Sequence, residues 1–103
     1  MTTPRFDELI HAPSRLSLVA FLAATAWADF AVLRDSVGLS DSTLSKALTT
    51  LADAGYVEIR KAFVGKRPRT SARLTTVGRA AFQQHVAALQ QIVSQAGTSV
   101  LPQ

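Results

Sequence analysis

Cysteine is absent from all 103 residues, and no acidic residue follows Glu58. The first absence excludes a disulfide framework and a thiolate metal site, and it is compatible with a reducing compartment. The second leaves Arg60, Lys61, Lys66, Arg67, Arg69, Arg73 and Arg79 almost without nearby acids. These are seven of the eleven basic residues, so the net charge of +4 understates how one-sided the second half is. One strongly positive surface and an anionic partner are expected. Long apolar runs are missing as well. Residues 16–24 form an apolar stretch, but a bilayer span takes ~20 residues, so no membrane partner is expected. Arg15 before that stretch and Ala24-Thr25-Ala26 after it have the outline of a secretory leader. Asp7 and Glu8 stand where a leader is basic, and cleavage would remove a helix the domain needs. The segment is expected to stay and fold.

Catalytic constellations are also lacking. His11 and His85, the two histidines, have no Asp or Glu at metal-ligand spacing and read as surface or interface residues. Asp7 and Glu8 are adjacent, diverge on a helix, and do not form a carboxylate pair. No Gly-rich phosphate loop, nucleophile elbow or Cys–His pairing occurs. The expectation is therefore no enzyme, no metal and no cofactor.

What is present is 48% hydrophobic residues, enough for one core and one domain over 1–103, ordered over about 5–96. Helical spacing of Phe6, Leu9 and Ile10 predicts a short helix over 5–10, after a frayed 1–4. Pro13 suits a first helical turn, and residues 14–24 are apolar nearly all round, which predicts a central helix. Trp27-Ala28-Asp29 reads as an extended link. Residues 30–37 form the next helix, with Asp29 as N-cap and Phe30, Leu33 and Val37 on its buried stripe. Gly38 supplies a left-handed turn, Leu39 plugs the angle, and Ser40 caps a helix over 41–54. Its buried stripe is Leu44, Ala47, Leu48 and Leu51. After Gly55, residues 56–64 and 69–74 read as strands around a Gly65-Lys66-Arg67-Pro68 turn. Val57, Ile59 and Phe63 point one way, Glu58 and Arg60 the other. Thr75 or Thr76 caps a last helix reaching about residue 96. Phe21, Trp27, Phe30 and Tyr56 read as core aromatics, with Trp27 also a candidate pocket lining. The fold class is mainly α with a small β-hairpin.

The 100° step per residue decides what helix 41–54 shows outward. Ser42, Lys46, Thr49 and Asp53 lie opposite the apolar stripe, with Thr43, Ser45 and Thr50 on its flanks. Ser40, Ser42, Thr43, Ser45, Lys46, Thr49 and Thr50 are thus candidate DNA contacts. Short hydroxyl side chains reach phosphates or base edges, a lysine reaches guanine acceptors, and threonine methyls touch thymine. A merely solvated polar face is the competing explanation, although serine and threonine are mediocre helix formers. Lys66, Arg67 and Arg69 would place positive charge at the hairpin tip beside that helix. A cationic edge guarding against aggregation is the alternative there, but protection does not require charge of one sign.

Phe30-Ala31-Val32-Leu33, Val37-Gly38-Leu39-Ser40, Leu44-Ser45, Leu48, Leu51, Ala54-Gly55-Tyr56-Val57 and Leu74-Thr75-Thr76-Val77-Gly78-Arg79 together resemble winged-helix transcriptional regulators of the MarR/ArsR type. The resemblance is to the small one-domain members and covers about residues 6–89. It implies a winged helix-turn-helix and a cytoplasmic prokaryotic regulator, with helix 41–54 as the recognition helix and residues 64–69 as the wing tip. It further implies a homodimer on a pseudo-palindromic duplex. The Asp-Arg pair in the wing of larger MarR proteins is replaced here by Lys66-Arg67-Pro68-Arg69. The long flanking helices around their effector pocket are shortened, and the Cys and His sets of ArsR metal sensors are absent. No small-molecule effector is indicated.

Dimerisation also has a pattern of its own. On the last helix, about 76–96, Phe82, Val86, Leu89 and Val93 form one apolar stripe, and Val77, Ala81, Ala88 and Ile92 form another. One stripe covers the core and the other is left for a partner, with Phe82, Val86, Leu89 and Val93 as the candidate dimer residues. A single wide stripe buried in one chain is the competing explanation. The expected function is sequence-specific binding of double-stranded DNA in transcription regulation. A winged-helix module for protein or RNA is the alternative.

Overall fold

Capping chemistry sets the element boundaries. The computed structural model describes residues 3–97, so the expected loose tail beyond 97 and the first two residues lie outside the described residues. Helix α1 is Glu8–His11, later than the helix over 5–10 expected from apolar spacing. The reason is Asp7: its carboxylate accepts the Ile10 N–H at 3.1 Å, which makes it the N-cap and puts it outside the helix. Helix α2 is Pro13–Ala23, with Pro13 in the first turn where its missing N–H leaves no bond unmade. Its Leu18, Val19 and Leu22 are fully buried, as expected of a central helix.

The link at Trp27-Ala28-Asp29 is more than a link. Strand β1, Ala28–Asp29, pairs antiparallel with Ala72 and Ser71. Two residues are too few to show a period, which is why the sequence suggested only a hairpin. Helix α3 is Phe30–Val37 and helix α4 is Asp41–Asp53. Between them Gly38 takes a left-handed φ of 70°, a conformation that costs glycine little because it has no Cβ. Asp29 occupies the N-cap position of α3 without capping it by its side chain. The carboxylate instead accepts from Ser71 Oγ at 3.1 Å and pairs with Arg69 at 3.4 Å.

Strands β2, Val57–Val64, and β3, Arg67–Leu74, form a regular antiparallel ribbon, and the sheet order is β1-β3-β2. The turn is only Gly65-Lys66, narrower than the four residues expected. Gly65 at the first turn position has a φ of 65°, the arrangement of a type II′ hairpin, whose twist matches that of the strands. Pro68 sits inside β3 rather than in the turn. Val57 is buried at 4% exposure, but Phe63 is 74% exposed. Phe63 therefore does not join the core face, because the ribbon has already left the body.

Helix α5 is Thr76–Gln95, capped by Thr75, whose Oγ1 accepts the Gly78 N–H at 2.9 Å. Gly78 is required there for a second reason. A Cβ at that position would collide with the Tyr56 carbonyl, so glycine permits α5 to close on the start of β2. The core gathers Leu18, Val19, Leu22, Leu33, Leu44, Leu48, Leu51, Val57, Ala72 and Leu74. Each fully buried leucine contributes about 1.5–3 kcal/mol. Phe21, Phe30 and Tyr56 pack against this core. Trp27 does not, and it lies under two guanidinium groups, with Arg60 4.2 Å and Arg73 5.0 Å from its ring centre. His85 is fully buried rather than at the surface, and meets His11 across the α1–α5 junction.

Candidate nucleic-acid interface

Burial of one side of α4 fixes the other. Leu44, Ala47, Leu48 and Leu51 are each no more than 5% exposed, so the helix cannot rotate without uncovering its core contacts. Ser42, Thr43, Ser45, Lys46 and Thr49 are consequently exposed and Thr50 is half-buried. The hydroxyl groups are not equivalent. Ser40 Oγ accepts from the Thr43 N–H at 3.2 Å and donates to Thr43 Oγ1 at 2.9 Å, so it is engaged as a cap. Thr49 is exposed and donates its hydroxyl proton to the Ser45 carbonyl at 2.9 Å, so its oxygen keeps only its acceptor capacity. Lys46 is the only cation on this helix and stands mid-face.

The first turn of α4 carries Asp41, which would repel a phosphate. Arg34 on α3 offsets it, bridging Asp35 at 3.0 Å and Asp41 at 3.1 Å. Hydrogen bonds donated to Asp35 and then to Asp41 hold that guanidinium more firmly protonated than a free arginine. The same bridge ties the two helices of the helix-turn-helix together. Beside α4, a cleft of about 220 Å³ is lined by Pro13, Ser14 and Arg15 from the start of α2 and by Thr43, Lys46 and Thr50. Sequence spacing did not indicate this neighbour, because the approach of α2 to α4 is a tertiary contact.

The cations of the second half, which clustering in sequence had grouped as one surface, are unequally engaged: Arg60, Arg67, Arg69 and Arg73 share one face of the ribbon, but most of them have partners within the chain. Arg73 pairs with Glu58 at 2.6 Å, and Arg60 and Arg73 flank Trp27. Arg79 Nη1 donates to the Ala23 carbonyl at 2.9 Å. Arg69, expected at the free tip, is held by Asp29. Lys46, Lys61, Lys66 and Arg67 have no carboxylate at ion-pair distance among the described residues. Lys66 occupies the turn, and Arg67 opens β3 opposite Val64. Lys61 belongs to this free group, although it was not among the expected contacts. Alternation places it on the same ribbon face as Val57 and Ile59, which pack toward the core.

A helix-turn-helix, a recognition-type helix with its polar face open, and a hairpin with unpaired cations at its tip now stand together. The match to the family described as winged helix DNA-binding domain covers residues 14–93. This chain belongs to that family. An uncharacterised protein of Methanocaldococcus jannaschii is 27% identical over 79 residues, covering 77% of this chain and 86% of the relative. Among solved structures, a transcriptional regulator homologue from Pyrococcus horikoshii superposes with a TM-score of 0.80 at 22% identity, covering 87% of this chain and 89% of that one. A MarR-family regulator from Silicibacter pomeroyi gives 0.67 at 22% identity, covering 91% of this chain and 62% of that one. The fold of this winged-helix domain is thus that of MarR-family and related transcriptional regulators. No helix among the described residues is long and apolar enough to cross a membrane.

On α5, Gly78, His85 and Ala88 are the buried positions, and Phe82 packs against the core. Val86, Leu89 and Val93 are half-buried, whereas Val77 and Ile92 are 61% and 51% exposed. The most open apolar positions therefore belong to the second stripe.

Proposed function

We propose that this winged-helix domain binds duplex DNA sequence-specifically as a transcriptional regulator. Helix α4 enters the major groove, and the wing tip lies on the backbone or in the neighbouring minor groove. The observation that carries this reading is the uncovered polar face of α4, centred on Lys46, with Lys66 and Arg67 unpaired on the adjacent ribbon. A helix presenting Ser42, Thr43, Ser45, Lys46, Thr49 and Thr50 offers hydrogen-bond donors, acceptors and methyl groups to base edges. Phosphate contacts from the wing fix its register. Ser40 serves as the cap, and Arg69 lends charge from beside Asp29.

The second part of the proposal is a homodimer through α5, with Val77 and Ile92 joining Val86, Leu89 and Val93, and Phe82 supporting the helix from the core side. Two-fold symmetry would present two copies of α4 to successive major grooves, ~34 Å apart. Selection of bound duplexes from a random pool tests both parts. A regulator of this kind recovers a pseudo-palindrome whose affinity falls steeply with salt. Failure to bind any duplex at low salt removes the reading and leaves a winged-helix module for protein or RNA. A monomer in sedimentation at tens of micromolar removes the dimer.

A further inference from the structure

Two histidine rings meet at the junction of α1 and α5. His85 is fully buried. Its Nδ1 accepts the backbone N–H of Asp7 at 3.0 Å, and its Nε2 lies 3.1 Å from Nδ1 of His11. Phe6 packs on both rings, with centroid distances of 4.6 Å to His85 and 4.7 Å to His11. The polarity of this chain of bonds is fixed. A backbone N–H only donates, so His85 Nδ1 carries a lone pair and the neutral ring carries its proton on Nε2. That proton is donated to His11 Nδ1, and His11 keeps its own proton on Nε2. Two neutral rings satisfy both bonds.

A proton added to either Nδ1 breaks a bond. On His85 it would face the Asp7 N–H, and on His11 it would face the His85 N–H. Metal binding does not suit the pair either. A ligating histidine donates its other ring N–H to a second group, whereas the other nitrogen of His85 is an acceptor.

We propose that Phe6, Asp7, His11 and His85 form a proton-released latch that docks the N-terminal segment onto α5. Docked, Phe6 and Asp7 form one wall of a cleft whose other residues include Tyr56, Val77, Ala81 and Gln84. Released, the segment uncovers the flank of α5 that carries Val77.

The groups around the rings come from several elements. Asp7 and Glu8 belong to the N-terminal segment and α1. Tyr56 precedes β2 and donates to Asp7 at 2.6 Å, which with burial keeps its hydroxyl protonated. Arg5 bonds Gln84 through its backbone at 3.3 Å, and Arg15 of α2 donates to the Leu9 carbonyl. The Asp7 carboxylate is already occupied by Ile10 and Tyr56. Burial first, and then the neighbouring His11, depress the His85 pKa, with Asp7 and Glu8 opposing. The docked form thus takes up fewer protons than the released form. Docking is complete above the ordinary histidine value of 6.5 and is lost as pH falls through the lower docked value.

Amide hydrogen exchange on the full chain from about pH 8 to about pH 5, corrected for intrinsic rates, tests this. Protection at Asp7 and Ile10 should fall by about tenfold per pH unit for each proton taken up, while the α4 amides keep theirs. His85→Gln retains an acceptor for Asp7 and should flatten the profile. His11→Gln accepts from His85 but removes the neighbour that helps depress the His85 pKa, so it should leave a smaller fall in protection, which keeps the test decisive if His85→Gln does not fold. Protection that stays constant to about pH 5 in the parent chain overturns the latch. So does a wild-type profile in either variant.

Discussion

At the base of the β2–β3 ribbon each arginine has a partner within the chain, while at its tip Lys66 and Arg67 have none. Arg73 has Glu58, Arg60 has the face of Trp27, and Arg69 has Asp29. All five are cations and the distance along each strand is a few residues, yet the uses differ. A guanidinium with a carboxylate or an indole face already has its interaction and serves the fold. An ammonium or guanidinium on a projecting turn has only water, which a phosphate replaces with release of counterions. Counting cations therefore says less about binding than asking which of them are already engaged.

Substitutions at the two ends sharpen or break this comparison. The largest effect is expected from Trp27→Ala, which removes the platform under Arg60 and Arg73. It should cost about 2–4 kcal/mol in urea unfolding and, because Arg60 loses its partner while Arg73 keeps Glu58, steepen the salt dependence by up to about one phosphate contact. Next, Lys46→Ala should weaken the preferred duplex by ~1–3 kcal/mol and relax specificity at one position, with the urea midpoint unaltered. Asp29→Asn acts on the boundary between the two groups. Freed from its partner, Arg69 should steepen the salt dependence by up to about one phosphate contact. Stability should fall by about 1 kcal/mol in a melt, a modest figure because the pair is partly solvated. Glu58→Gln should change least, by under about 1 kcal/mol, and this difference should vanish in high salt.

The sequence made the local features plain. Leucines at helical spacing, Ser40 as one cap and Thr75 or Thr76 as another, and Gly38 and Gly65 in turns are decided by residues within a few positions of each other. The outward face of α4 followed from the same periodicity. What stayed hidden depends on residues distant in sequence. Asp29 looked like a helix cap until Ser71 and Arg69 from β3 claimed its carboxylate. His85 looked like a surface or interface residue because His11, which meets it across the α1–α5 junction, is 74 positions away. Strand β1 was too short to show a period, and Arg69 looked like its free neighbours because pairing leaves no mark in composition.

The slope of log affinity against log salt, measured on one selected duplex for two variants, tests the central claim most directly. For Lys66→Ala/Arg67→Ala at the tip, the slope should fall by about two units. For Arg73→Ala at the base, it should match that of the parent chain. Equal losses in both variants, or no loss at the tip, would contradict the division between engaged and free cations.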